Sequence, residues 1–110
     1  YVIGEIEPPY DVELVVFPGK RVVELDPQFR SAIDRTDRTK IYAYRAEAHA
    51  RWLHYLKATL NELEILNSDP ASSFYRKLDL QYVGVLGHSH GGGVAVDFCA
   101  HHDRCKAGVN

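Results

Sequence analysis

The segment Gly87-His88-Ser89-His90-Gly91-Gly92 holds the residue types with the most chemistry in them. A serine hydroxyl is a weak nucleophile and must be held out where a base can reach it. A sharp turn between a strand and a helix does this. Such a turn is crowded, so its flanking positions must be small: Gly87 before the serine and Gly91 after it. Gly92 and Gly93 would let the start of the helix pass close to neighbouring strands. The helix N-terminus turns N–H groups and the positive end of its dipole toward the hydroxyl, which favours a developing oxyanion. The expected chemistry is acyl transfer, with Ser89 as nucleophile and the backbone N–H of His90 as one oxyanion donor. Gly87, His88, Gly91 and Gly92 complete the elbow, and the chemistry calls for no cofactor.

A bare G-x-S-x-G pattern occurs by chance. Here it follows the apolar run Val83-Gly84-Val85-Leu86 and opens a helical pattern, which is the context the chemistry needs. The competing reading is a glycine-rich strand–helix turn that binds an anion or has no function. A phosphate-binding loop would end in Gly-Lys-Ser/Thr, and this one does not.

The elements that must position Ser89 can be read outward from it. Gln81 to Leu86 is a short apolar strand, and Gly91 to His102 a helix with Val94, Ala95, Phe98 and Cys99 inward. Ala107-Gly108-Val109 begins another strand. Upstream, Ile41 to Leu66 is helical: Leu53, Leu56, Leu60 and Leu63 follow steps of three and four and share one stripe. Ala46, Ala48, Ala50 and Ala58 favour the helix, and Glu47 and Arg51 can pair one turn apart. Asn67-Ser68-Asp69-Pro70 stops it. Tyr1 to Ile6 reads as a buried strand ended by Pro8-Pro9. Val12 to Phe17 and Arg21 to Leu25 read as a hairpin around Pro18-Gly19-Lys20. Asp26 to Lys40 is polar and reads as a loop, with room for one helical turn. Strand, helix, strand, helix, strand is the alternation of a mainly parallel sheet flanked by helices, with the hairpin as an insertion; the fold class is α/β, and each crossover is expected to be right-handed.

The remaining chemically capable residues read as structural. His101 and His102 lie at the far end of the second helix, roughly 18 Å from Ser89 at about 1.5 Å per residue, beyond the reach of a general base. His49 and His54 fall on the long helix, packed under the sheet. The His90 side chain is placed to line the pocket. Asp97 reads as a solvated surface carboxylate rather than a catalytic acid. Metal ligands must converge; His88 and His90 straddle a turn, and His101-His102 lies a helix away, so no metal site is expected. Trp52 and the seven tyrosines read as core and surface aromatics.

The chain has 110 residues and a net charge of −2, which suits one domain over residues 1–110 and gives no electrostatic footprint for nucleic acid. No apolar run reaches the roughly 18 residues of a membrane span, and the N-terminus lacks the pattern of a signal peptide. The absence of any Met suggests a chain that begins inside a longer protein. Cys99 and Cys105 are expected as two free, buried or half-buried thiols, with a local disulfide as the alternative in a secreted protein; two cysteines do not fix the compartment.

The stretch Leu78-Asp79-Leu80-Gln81-Tyr82-Val83-Gly84-Val85-Leu86-Gly87-His88-Ser89-His90-Gly91-Gly92 resembles the platelet-activating-factor acetylhydrolase (isoform II) family of α/β-hydrolases and its bacterial and fungal relatives. Asp103 to Asn110 resembles the family's next strand, Tyr1 to Asp11 the strand before its inserted hairpin, and Val15 to Val23 that hairpin. The likeness covers nearly the whole chain and is loosest from Pro27 to Lys40. It implies the central part of an α/β-hydrolase fold and an esterase acting on short acyl groups, including the acetyl group of ether or oxidised phospholipids. Small esters and phospholipids are then the expected substrates. In the family His88 is a packing residue beneath the turn. The acid lies just beyond the strand that starts at Ala107, the histidine lies further downstream, and the second oxyanion donor precedes Tyr1. The resemblance thus places three working parts outside residues 1–110. A rival expectation is a truncated, inactive homologue that serves as a binding or interaction module. Its exposed sheet edges would need a partner, either a second copy or the remainder of a parent chain. A short piece of a larger sheet is also expected to be marginally stable or oligomeric alone.

Overall fold

The computed structural model describes residues 2–6, 8, 14–17, 19–25, 27 and 37–110. Its elements are β1 (Leu14–Val16), β2 (Val22–Glu24), α1 (Arg38–Ser68), β3 (Val83–Leu86), α2 (His90–His101) and β4 (Cys105–Val109). Strands and helices mix in an α/β arrangement with two small sheets: β1 with β2 antiparallel, β3 with β4 parallel. The chain divides into two compact units, one of Gly4–Arg51 and the other of Tyr1–Ile3 with Trp52–Asn110. Among the described residues no helix is long and apolar enough to cross a membrane.

In the first unit the expected hairpin forms. Leu14, Val15 and Val16 pair with Glu24, Val23 and Val22. The turn is closed by Lys20 N–H donating to the Phe17 carbonyl at 3.1 Å and Phe17 N–H donating to the Arg21 carbonyl at 2.8 Å. Gly19 takes φ 85° there, a value glycine adopts without steric penalty. The Arg21 guanidinium lies 4.2 Å from the centre of the Phe17 ring. Val12 and the Pro18 of the turn lie outside the described residues, as do Pro9, Asp26 and most of the segment expected as a loop.

The strand expected over Tyr1 to Ile6 is not found. Residues 2–6 belong to no strand, and Ile3 is 91% exposed. β-branched residues favour a strand only when a neighbour supplies the ladder and the packing; here no ladder reaches residues 2–6, and Val2 and Ile3 stay exposed.

The long helix starts three residues earlier than its apolar pattern, at Arg38. Asp37 is the reason. Its Oδ1 accepts from Thr39 N–H at 3.1 Å and Lys40 N–H at 3.2 Å, capping the first turn. In this unit Tyr44 and Ala48, one turn apart, are buried together. The Glu47–Arg51 pair forms at 3.9 Å, and Arg51 also lies over the Tyr44 ring.

In the second unit the leucine stripe is inward: Leu60 is buried and Leu53, Leu56 and Leu63 half-buried, while Lys57 and Asn61 are exposed. The end of α1 is fastened by Asn67. Its Oδ1 accepts from Lys77 N–H and Leu78 N–H, and its Nδ2 donates to the Leu78 carbonyl. The polar connection is therefore strapped back onto the helix that precedes it. Glu64 and Arg104 form an ion pair, tying α1 to the turn before β4.

Helix α2 connects β3 to β4 and packs on both. Val94, Ala95 and Phe98 are its buried face. β4 is longer than expected, beginning at Cys105 rather than Ala107. Val83 pairs with Cys105 and Gly84 with Ala107, so Lys106 is an extra residue in the ladder, and Val83 N–H donates to the Arg104 carbonyl. A bulge of this kind breaks the alternation that sequence patterning reads. The two cysteines are not free thiols: Cys99 and Cys105 form a disulfide with their Cα atoms 4.9 Å apart. It joins the last turn of α2 to the first residue of β4, two points that the helix–strand return brings together.

Candidate active site

Ser89 sits between β3 and α2 and is exposed. Its backbone has φ 55° and ψ −117°, and its side chain makes no capping bond to the helix. A serine before a helix ordinarily turns its oxygen onto the first N–H groups; this one does not. Positive φ is uncommon for a residue with a Cβ, and the ψ takes it outside the left-handed helical well. Such a conformation costs of order 1–3 kcal/mol and persists only where its surroundings enforce it.

The enforcement comes from both sides. Before the serine, β3 is held in register to its end, where Gly87 N–H donates to the Val109 carbonyl at 3.0 Å. After it, Gly91 N–H donates to the His88 carbonyl at 3.0 Å, and Gly93 N–H to the Ser89 carbonyl at 3.2 Å. The chain reverses from strand to helix within a few residues. A Cβ on Gly87 would fall onto the carbonyl carbon and oxygen of Gly91 and within 2.8 Å of Gly92 N. Gly92 is buried, and its missing side chain makes room for the side chain of Asn110, just past β4. Gly93 does not need to be small: the space beside it is open. The expectation that Gly92 and Gly93 both serve close approach holds for Gly92 alone, because Gly93 faces away from the strands.

His90 begins α2, directly after Ser89, so its N–H belongs to the positive end of the helix. Its ring is half-buried and meets Trp52 of α1 edge to face, with centres 5.0 Å apart and planes at 82°. The same indole lies on the side of Gly91 where a side chain would project, with Cζ3 3.4 Å from the position a Cβ would take. Trp52 is half-buried rather than part of the closed core, and its placement beside the turn has no local signal in the sequence. His88, expected beneath the turn as a packing residue, is instead exposed. The reversal at Ser89 leaves the side chain before it on the outside.

The other histidines are engaged elsewhere. His101 Nδ1 lies 2.9 Å from Asp97 Oδ1 and 3.0 Å from the Asp97 carbonyl oxygen. Asp97 is therefore half-buried and paired one turn along α2, rather than solvated alone. His102 stacks on Phe98, with centres 4.6 Å apart and planes at 17°. His54 is exposed, not packed under the sheet, and its ring contacts Tyr55. His49 is half-buried in the other unit. Among the described residues no three His, Cys, Asp or Glu side chains converge as a metal site would require.

Comparison of the chain with family models, curated proteins and solved structures gives no match. The functional reading rests on the turn itself.

Proposed function

We propose that Ser89 is the nucleophile of a serine carboxylic ester hydrolase of α/β-hydrolase type. Its substrates are short-chain esters, such as the acetyl ester of phospholipids resembling platelet-activating factor. The observation that carries this reading is the backbone of Ser89 at φ 55° and ψ −117°, between a parallel strand and a helix and braced by glycines. Strain at an exposed nucleophilic side chain is the physical mark of a site where orientation matters more than stability. The β3–α2–β4 unit is the strand–helix–strand repeat of which such a sheet is built.

In this reaction the Ser89 hydroxyl oxygen attacks the ester carbonyl as a base takes its proton. The oxyanion that forms accepts from the His90 N–H. Collapse expels the alcohol, which receives the proton, and leaves acyl-Ser89. Water then adds to the acyl group and releases the carboxylic acid. The base and its orienting acid are not drawn from His101, His102 or Asp97, which are paired with other groups or a helix length away.

Hydrolysis of p-nitrophenyl acetate by the full-length protein tests this. Ser89→Ala is expected to lower kcat by about three orders of magnitude or more. Turnover unaffected by the substitution contradicts the proposal.

Leu86 and Val109 favour a second reading. They are neighbours in register at the ends of β3 and β4, and both are more than half exposed. An apolar sheet end of this kind suits an inactive homologue that docks a partner or a second copy. That reading predicts no ester turnover at all, with or without Ser89.

A further inference from the structure

We infer that Trp52 is a positioning residue for the elbow, holding the two positions that follow the nucleophile so that the His90 N–H faces the oxyanion. This rests on Ser89 being the nucleophile. The indole reaches both positions. It takes the edge-to-face contact of the His90 ring at 5.0 Å, and its Cζ3 occupies the space beside the Gly91 backbone. On the side facing α1, Gly91 has no side chain of its own to pack, and the space beside Gly93 is empty. Without a wall on that side, the start of α2 could relax and release the positive φ at Ser89. Edge-to-face geometry sets the angle between two rings as well as their distance, so it fixes the rotation of His90 about the helix axis. A displacement of about 1 Å at an oxyanion donor is enough to slow acyl transfer severely.

The Trp52 indole thus acts through His90, and the two side chains should be coupled in rate. The test is the rate of covalent labelling of the full-length protein by a fluorophosphonate probe. Trp52→Leu is expected to lower the labelling rate constant by about tenfold. Trp52→Phe, which keeps an aromatic face for His90, should stay within about threefold of the wild type. His90→Leu should lose as much as Trp52→Leu, and the double variant no more than either, because the two changes remove one contact. Circular dichroism checks that each variant folds. If Trp52→Leu does not fold, His90→Leu carries the same expectation with Trp52 in place. Labelling of Trp52→Leu and His90→Leu at the wild-type rate, or losses that multiply in the double variant, overturns the positioning role while leaving the nucleophile intact. Absence of labelling in the wild type overturns the nucleophile reading and this inference with it.

Discussion

Gly87 and Gly91 are packed so closely that a methyl group on Gly87 would lie only 2.4 Å from the main-chain carbonyl carbon and oxygen of Gly91. The strand and the helix around Ser89 touch backbone to backbone, and the serine is what remains exposed at the fold. Gly87→Ala should therefore destabilise the protein by about 1–3 kcal/mol, since neither backbone can retreat without breaking the ladder or the helix. Gly93→Ala, three residues into α2 with open space beside it, should instead be neutral or stabilising by about 0.5–1 kcal/mol. Urea denaturation of the two variants measures both. Equal effects would mean that the crowding at Gly87 is absent.

The backbone of Ser89 makes a second prediction. At φ 55° a glycine is unstrained and an alanine is not. Both Ser89→Gly and Ser89→Ala remove the hydroxyl. Ser89→Gly should be more stable than Ser89→Ala by about 1 kcal/mol, despite the flexibility glycine adds to the unfolded chain. Thermal denaturation of the pair reads the strain directly, and a less stable Ser89→Gly variant would mean that little strain is stored there.

The cap of α1 makes a third. The backbone N–H of Lys40 bonded to its carboxylate, with the Lys40 charge and the Thr39 N–H adding to it, holds Asp37 below its ordinary value of 3.8. A carboxyl lowered in the folded state contributes stability that is complete above the unfolded value and lost as pH falls through the folded one. The first turn of α1 should fray as pH drops below about 3.8. Amide hydrogen exchange at Thr39 and Lys40, measured against pH and corrected for the intrinsic rate, should lose protection there. Asp37→Asn, which keeps an accepting oxygen but does not titrate, should flatten the dependence. Unchanged protection through that range would contradict the cap.

What the sequence made legible was local. The leucines from Leu53 to Leu63 repeat with the period of one helical face, and the burial of Leu60 follows. The elbow was legible because its glycines, serine and preceding apolar run lie within ten residues. Features made by distant residues were not. Cys99 and Cys105 could be free or bonded until α2 and β4 placed their Cα atoms 4.9 Å apart. Trp52 lies 38 positions before His90 and carries no mark of its partner. Val2 and Ile3 have strand-forming side chains, yet a strand is a property of pairs, and no ladder reaches them. β4 was read short because the bulge at Lys106 hides its first residue from any alternating pattern.

The most direct test of the account is the intact mass of the full-length protein before and after exposure to a fluorophosphonate probe, with Ser89→Ala beside it. The account predicts one adduct per chain, mapping to the peptide that contains Ser89 and absent from the variant. An unlabelled wild-type protein, or an adduct that persists when Ser89 is replaced, would contradict it.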